Sequence, residues 1–197
     1  MAFDIPTLRT ERLDLVPPSA ECADLYRTFY TDADASSSYG GPLSPVGAWT
    51  RLASDLGSWH LQGFGVWVVR DRERGELVGV CGFWQAPGWR RELTWWLLPR
   101  HRSRGFAQEA SQAVVAHAYE VLGWPVVETY MVDTNDQAHA LVKRLGGELV
   151  ERFVAPDGAE RDLFRIPRPR SRRPSADVPL GAIPWWFPPR PLAAARL

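Results

Sequence analysis

Between Pro99 and Ala110 the chain reads "PRHRSRGFAQEA": Arg100, His101, Arg102 and Arg104 stand just ahead of Gly105, and a helix-like segment follows. Those residue types in that order suit an anion. The first N–H groups of a helix lack internal partners, and the helix dipole places partial positive charge there. Gly105 lets backbone approach a ligand closely, Ala107 keeps the first turn uncluttered, and arginines can supply charge-assisted hydrogen bonds. No GxxxxGK followed by Ser or Thr occurs, so Mg-ATP chemistry lacks its lysine and hydroxyl. The dinucleotide pattern GxGxxG is absent too. An arginine-rich loop ahead of a helix is also what a solvated surface looks like, and by itself the loop leaves both readings open.

The elements around it must position any such site. "RLDLVPP" alternates Leu13 and Leu15 with polar neighbours and stops at Pro17, which predicts a strand. "SAECADLYRTFY" predicts a helix with Ser19 as its cap, and "PVGAWTRLASDLGSWHLQ" a second one. Gly65 to Arg70 and Glu76 to Trp84 are β-rich runs around the polar turn Asp71 to Gly75, the clearest hairpin in the chain. "RELTWWLLP" predicts the strand leading into the arginine loop, and a helix follows from Gly105 to Leu122, stopped at Gly123. "VVETYMV" then reads as a buried strand, "DQAHALVKRLGG" as a short helix, and the last hairpin turns at Pro156-Asp157-Gly158. This order predicts an α/β (α+β) fold: a mostly antiparallel sheet with at least one parallel crossover.

Composition excludes several classes. The 197 residues, 45% of them hydrophobic, can bury one substantial core. A formal net charge of zero gives no global field for nucleic acid or membrane. Cys22 and Cys81 lie far apart, and His60, His101 and His117 form no ligand cluster, so neither a disulfide framework nor a metal site is expected. "MAFDIPTLRTERLDLV" lacks the apolar core of a signal peptide, and no run approaches about 20 apolar residues. A cytoplasmic protein is the expectation. From Pro167 onward the chain carries eight of its 17 prolines and six arginines against one aspartate. Residues 1–166 thus read as the domain and 167–197 as a Pro/Arg/Trp-rich tail.

Arg102-Ser103-Arg104-Gly105-Phe106-Ala107 resembles the Gln/Arg-x-x-Gly-x-Gly/Ala pyrophosphate loop of GNAT-superfamily N-acetyltransferases. "TERLDLVP", "WVVRDRERGELVGVCGFW", "ELTWWLLPRHRSRGFAQEA" and "VDTNDQAHALVKRLGGEL" are similar, in order, to blocks of the RimJ/RimL-like branch, the ribosomal-protein N-terminal acetyltransferases and their relatives. The resemblance covers residues 7 to 166. It implies a GNAT fold with helices on both faces of a sheet splayed at the acetyl-CoA site, and it makes the anion the pyrophosphate of acetyl-CoA. It implies that backbone groups of Trp96, Leu97 and Leu98 pair with the pantetheine arm, with an N–H near Leu97 polarising the thioester. Asn135 matches an asparagine that bonds the pantetheine, although capping the next helix would use it equally well. Glu92 is similar in place to a carboxylate that serves as general base, against the alternative of a strand-end charge paired with Arg90 or Arg91. Where the family often has Asn-x-x-Ser, this chain has Ala138, so the hydroxyl offered as proton donor to the thiolate is missing; His139 is one residue on but about 100° around the helix, which points it elsewhere, and Tyr130 on the preceding strand has no better claim.

The implied activity is acetyl-CoA-dependent acetylation of a primary amine, on a protein N-terminus or a small molecule. Ala138 keeps an alternative open, a GNAT fold that binds CoA as sensor or scaffold without catalysis. "TDADASSSYGGP" and "APDGAE" are the segments that would choose the acceptor, and their acidic balance suits a cationic amine. Nucleic acid as partner rests only on Arg165 to Arg173 and is not expected; no membrane partner is either. Trp185, Trp186 and Phe187 in the tail are expected to dock on a surface, with a homodimer as the favoured setting.

Overall fold

The computed structural model describes residues 4–169. The β-branched and aromatic runs form a five-stranded sheet in the order β1-β2-β3-β4-β5, from β1 (Leu8–Arg9), β2 (Leu13–Val16), β3 (Val66–Asp71), β4 (Leu77–Trp84) and β5 (Glu92–Leu97). Every ladder in it is antiparallel. A second sheet, β6 (Val127–Met131), β7 (Glu148–Val154) and β8 (Glu160–Ile166), has the order β6-β8-β7 and is antiparallel as well.

Between β2 and β3 the chain makes α1 (Ala23–Tyr30), α2 (Ala33–Ser36) and α3 (Pro45–Gln62). Ser44 caps α3 by accepting from the Gly47 N–H at 3.1 Å, and Pro45 opens its first turn. The helix α4 (Phe106–Glu120) crosses from β5 to β6, and α5 (Asp136–Arg144) follows β6. Helices cover both faces of the larger sheet. On one, Leu25, Tyr26, Phe29 and Leu52 pack on Val66, Val68, Val80 and Trp96. On the other, Phe106, Ala110, Val114 and Ala118 pack on Trp67, Val69, Cys81, Leu93 and Leu97. Strand alternation therefore aims Glu92, Thr94 and Trp96 at the α1–α3 side, and Leu93 and Leu97 at α4.

The crossover expected from the element order is the one made by α4, but it closes no parallel ladder. β5 and β6 are neighbours without being paired, and the sheet is parted between them. Two side chains tie the joint at the start of β5: the Thr129 hydroxyl donates to the Leu93 carbonyl at 2.8 Å and the Tyr130 hydroxyl to the Arg90 carbonyl at 3.3 Å.

Two local expectations need correction. Ser19 does not cap α1: a 3-10 turn, Ala20–Cys22, intervenes, and Cys22 occupies the cap position with no side-chain bond to the helix N–H groups. The segment expected as a loop between the first two long helices contains α2, capped by Asp32 on the Ala35 N–H. The docking and dimer expectations for Trp185, Trp186 and Phe187 lie outside the described residues.

Candidate active site

The N-terminus of α4 leaves its first N–H groups without a side-chain cap. Gly105 is its cap residue at φ 80°, with no side-chain cap, whereas Asp32, Ser44 and Asn135 cap α2, α3 and α5. Ser103, also left-handed at φ 60°, curls the loop one step earlier. The arginines largely brace this loop. Arg102 donates to the carbonyls of Leu97 and Ala35 at 3.2 and 3.3 Å. Arg104 lies 3.4 Å from the buried Asp71 carboxylate and over the Phe106 ring at 4.4 Å. His101 is buried, and burial followed by the neighbouring Arg100 pushes its pKa down, so it adds no positive charge. The first turn of α4 is held by a residue that the sequence did not single out: Glu109 accepts from the Thr10 hydroxyl at 2.6 Å and from the Arg12 guanidinium at 2.7 Å.

β5 leads from this loop into the gap. Leu98 N–H donates to the Val78 carbonyl at 2.9 Å, in the same register that sets Trp96 opposite Val80 and Thr94 opposite Gly82. In an antiparallel ladder such pairs alternate, so Leu98, Trp96 and Thr94 turn their backbone groups toward β4. Trp96 and Leu98, expected to lend theirs to a cofactor, spend them on the sheet. The backbone groups of Leu93, Trp95 and Leu97 face the gap instead. Their carbonyls accept from Thr129, Tyr39 and Arg102 respectively, all side chains outside β4. Of the three residues named from the sequence, Leu97 alone faces the gap, and Trp95, which the sequence reading did not name, faces it too.

On the α1–α3 side a cavity of about 740 Å³ opens over β5, bounded by Tyr30, Tyr39, Trp84, Trp89, Tyr130 and Arg161 among others. Glu92 lines it. Neither Arg90 nor Arg91 pairs with this carboxylate: Arg90 is bound to Glu151 at 2.8 Å, and Arg91 lies over the Trp124 ring at 3.3 Å. No hydrogen bond or ion pair holds the Glu92 carboxyl among the described residues, yet its oxygens remain accessible to the cavity. Burial pushes its pKa from 4.5 to about 8, against a smaller opposing pull from Arg161. A carboxyl in that state can take and return a proton near neutral pH.

Asn135 also lines the cavity, and its side-chain oxygen caps α5 at the Ala138 N–H, 3.1 Å away. Capping leaves its NH2 as a donor. Tyr130 lines the cavity too, and burial followed by Glu92 keeps its hydroxyl protonated. His139 turns away, contacting the Val132 carbonyl at 3.3 Å and the Phe164 ring. Among the described residues no group of His, Cys, Asp or Glu could hold a metal ion, and no helix is long and apolar enough to cross a membrane.

Asp55 is a second carboxyl in this cavity, this one buried, and the sequence reading did not name it. It accepts from the Tyr26 hydroxyl at 2.6 Å, and burial raises its pKa from 3.8 to about 6. A signal existed: Ala48, Leu52, Asp55 and Trp59 share the buried face of α3, so an acid interrupts an apolar stripe. Both carboxyls have a consequence for stability. The native state retains protons that the unfolded chain releases at lower pH, so raising pH through that interval favours unfolding. Stability should therefore fall as pH rises from 3.8 to about 6 through Asp55 and from 4.5 to about 8 through Glu92. Urea titrations of the wild type and of Glu92→Gln across this range check it: the variant should lose less stability on the alkaline side.

A sheet parted between two strands, with a bare helix N-terminus at one end of the gap and an unpaired carboxyl beside it, is the architecture of an acyltransferase. The chain belongs to the GNAT acetyltransferases: the family model "Acetyltransferase (GNAT) domain" matches residues 12–148. An acetyltransferase from Agrobacterium tumefaciens is 34% identical, with a TM-score of 0.75 over 84% of this chain and 96% of that one. An Aspergillus fumigatus protein named FsC-acetyl coenzyme A-N(2)-transacetylase is 26% identical over 204 residues, covering 93% of this chain and 84% of the relative. RimL, a ribosomal L7/L12 α-N-protein acetyltransferase solved with coenzyme A, is 13% identical at a TM-score of 0.68, over 81% of this chain and 97% of RimL, and shares the fold.

Proposed function

We propose that this protein transfers the acetyl group of acetyl-CoA to a primary amine, within the RimJ/RimL-like branch, with Glu92 as general base. The observation that carries the proposal is the Glu92 carboxyl: unpaired, raised to about 8, and lining a cavity that adjoins the gap between β5 and β6. Glu92 takes one proton from the acceptor ammonium and passes it to water, the amine nitrogen bonds to the acetyl carbon, the carbon–sulfur bond breaks, and the second proton released from that nitrogen passes through water to the departing CoA thiolate. Trp95 and Leu97 supply the N–H groups along the gap, and Asn135 a side-chain donor. The uncapped first turn at Gly105, Phe106 and Ala107 suits the pyrophosphate, with Ser103 shaping the loop and Arg102 and Arg104 bracing it. Ala138 supports the rival reading of a CoA-binding scaffold. Thiol release from acetyl-CoA over a panel of amines separates the two: turnover with any amine supports transfer, and CoA binding without turnover supports the scaffold.

Gly105 gives an independent check on the anion. At φ 80° any side chain is strained, and a Cβ there would lie 3.2 Å from the Arg12 guanidinium. Gly105→Ala measures that strain alone, and Gly105→Asp adds a negative charge to it. The aspartate variant should bind CoA at least about tenfold more weakly than wild type, ~1.4 kcal/mol, with the alanine variant between them. Equal CoA affinity by calorimetry in all three folded proteins would remove the anion site.

A further inference from the structure

The cavity over β5 has two cations in its wall, Arg51 and Arg161, and they differ in one respect. Arg161 is neutralised by Asp157 through two hydrogen bonds of 2.7 and 2.6 Å. Arg51 has no carboxylate within 4.0 Å among the described residues. One of its N–H groups donates to the Tyr39 carbonyl at 3.3 Å, and its guanidinium lies 5.7 Å from the centre of the Tyr30 ring. Asp55, one turn along α3, accepts from Tyr26 with one carboxylate oxygen and feels the charge of Arg51, but the two form no ion pair. A guanidinium has five N–H donors in a fork matched to carboxylate geometry, and this one is fixed in place with most of them unspent.

Its position relates it to Glu92. Tyr39 spans from Arg51 to β5, because its own carbonyl accepts from Arg51 while its hydroxyl donates to the Trp95 carbonyl. Trp95 is three residues along the strand from Glu92, about 10 Å at the rise of an extended chain. One cavity thus holds a proton acceptor at one place and a fixed cation at another, with Trp84, Trp89 and Tyr130 among its apolar walls. An acceptor carrying only an amine leaves the cation without a paired carboxylate. One that also carries a carboxylate satisfies both.

Resting on the acetyltransfer reading above, we propose that Arg51 binds an acceptor carboxylate, so that the acceptor class is an amine bearing a free carboxylate: an amino acid, or a peptide with a free C-terminus. The carboxylate makes a charge-assisted, forked pair with Arg51 while the amine lies toward Glu92 and the apolar body against the aromatic wall.

The test uses matched acceptors with acetyl-CoA: phenylalanine against phenylalaninamide, alanyl-phenylalanine against its C-terminal amide, and 6-aminohexanoate against hexylamine. Wild-type protein should show a KM at least about tenfold lower for the carboxylate member of at least one pair. Arg51→Met should erase that preference while leaving turnover of the amide or plain amine, and CoA affinity, unchanged. Arg51→Lys, which keeps the charge and loses the fork, should fall between them. Equal KM values within every wild-type pair, or an Arg51→Met variant that weakens both members alike, overturns the assignment while leaving acetyltransfer standing. Absence of turnover with all six acceptors, with CoA still bound, overturns the acetyltransfer reading and this inference with it.

Discussion

Glu92→Gln should lower turnover by on the order of a hundredfold to ten-thousandfold, the usual contribution of a positioned general base, while CoA affinity stays at the wild-type value. The amide keeps the size of the carboxyl and its place opposite Trp84 in the β4–β5 ladder, so the strand is not disturbed. What is lost is the proton acceptor. The pH profile carries the sharper signature. With the carboxyl at about 8, the ionised base is a minority at neutral pH, and turnover should rise with pH until it levels above that value. The variant should lose this limb. A variant with wild-type turnover and a wild-type profile from pH about 6 to about 9 would make Glu92 a bystander in the cavity wall.

The second large effect is one of stability. Trp96→Ala should cost about 3–5 kcal/mol in a urea titration, the range for emptying a fully packed aromatic site. Its indole, 4% exposed, stacks on Phe29 with centroids 4.0 Å apart and planes 10° from parallel. Tyr26 and Tyr30 meet it edge-on at 5.4 and 5.8 Å. No neighbour can collapse into the space without leaving another ring bare. Trp96→Phe keeps a ring and should recover a large part of the loss. A cost below about 1 kcal/mol for alanine would mean that this cluster is not the keystone of the α1–α3 side.

The long periodic segments were legible because local chemistry decides them. Ser44, Pro45 and the left-handed Gly63 bound α3 at the predicted residues, and the turn after Asp71 closes the predicted hairpin. Glu92 was legible only through its likeness to a family pattern; nothing local distinguishes it from a strand-end charge, and its isolation from Arg90 and Arg91 depends on where Glu151 and Trp124 lie. Trp95 could not be told from Trp96, since the side of a strand that meets its neighbour depends on register with β4. Ser19 misled because Ser, Glu and an apolar period promise a cap, and a 3-10 turn took up those residues first. Arg51 and Asp55 become informative only once α3 is laid over β5.

Two sheets that abut without a ladder form a joint, not a seam. Its fastenings are the hydroxyls of Thr129 and Tyr130 at one end and the body of α4 across the back. Flexing such a joint strains a few side-chain contacts, whereas flexing a continuous sheet would break rows of backbone hydrogen bonds. The stiffness of the molecule is therefore uneven by construction. Each sheet is cross-tied by its own ladders, and compliance is expected to concentrate along the unladdered line between β5 and β6.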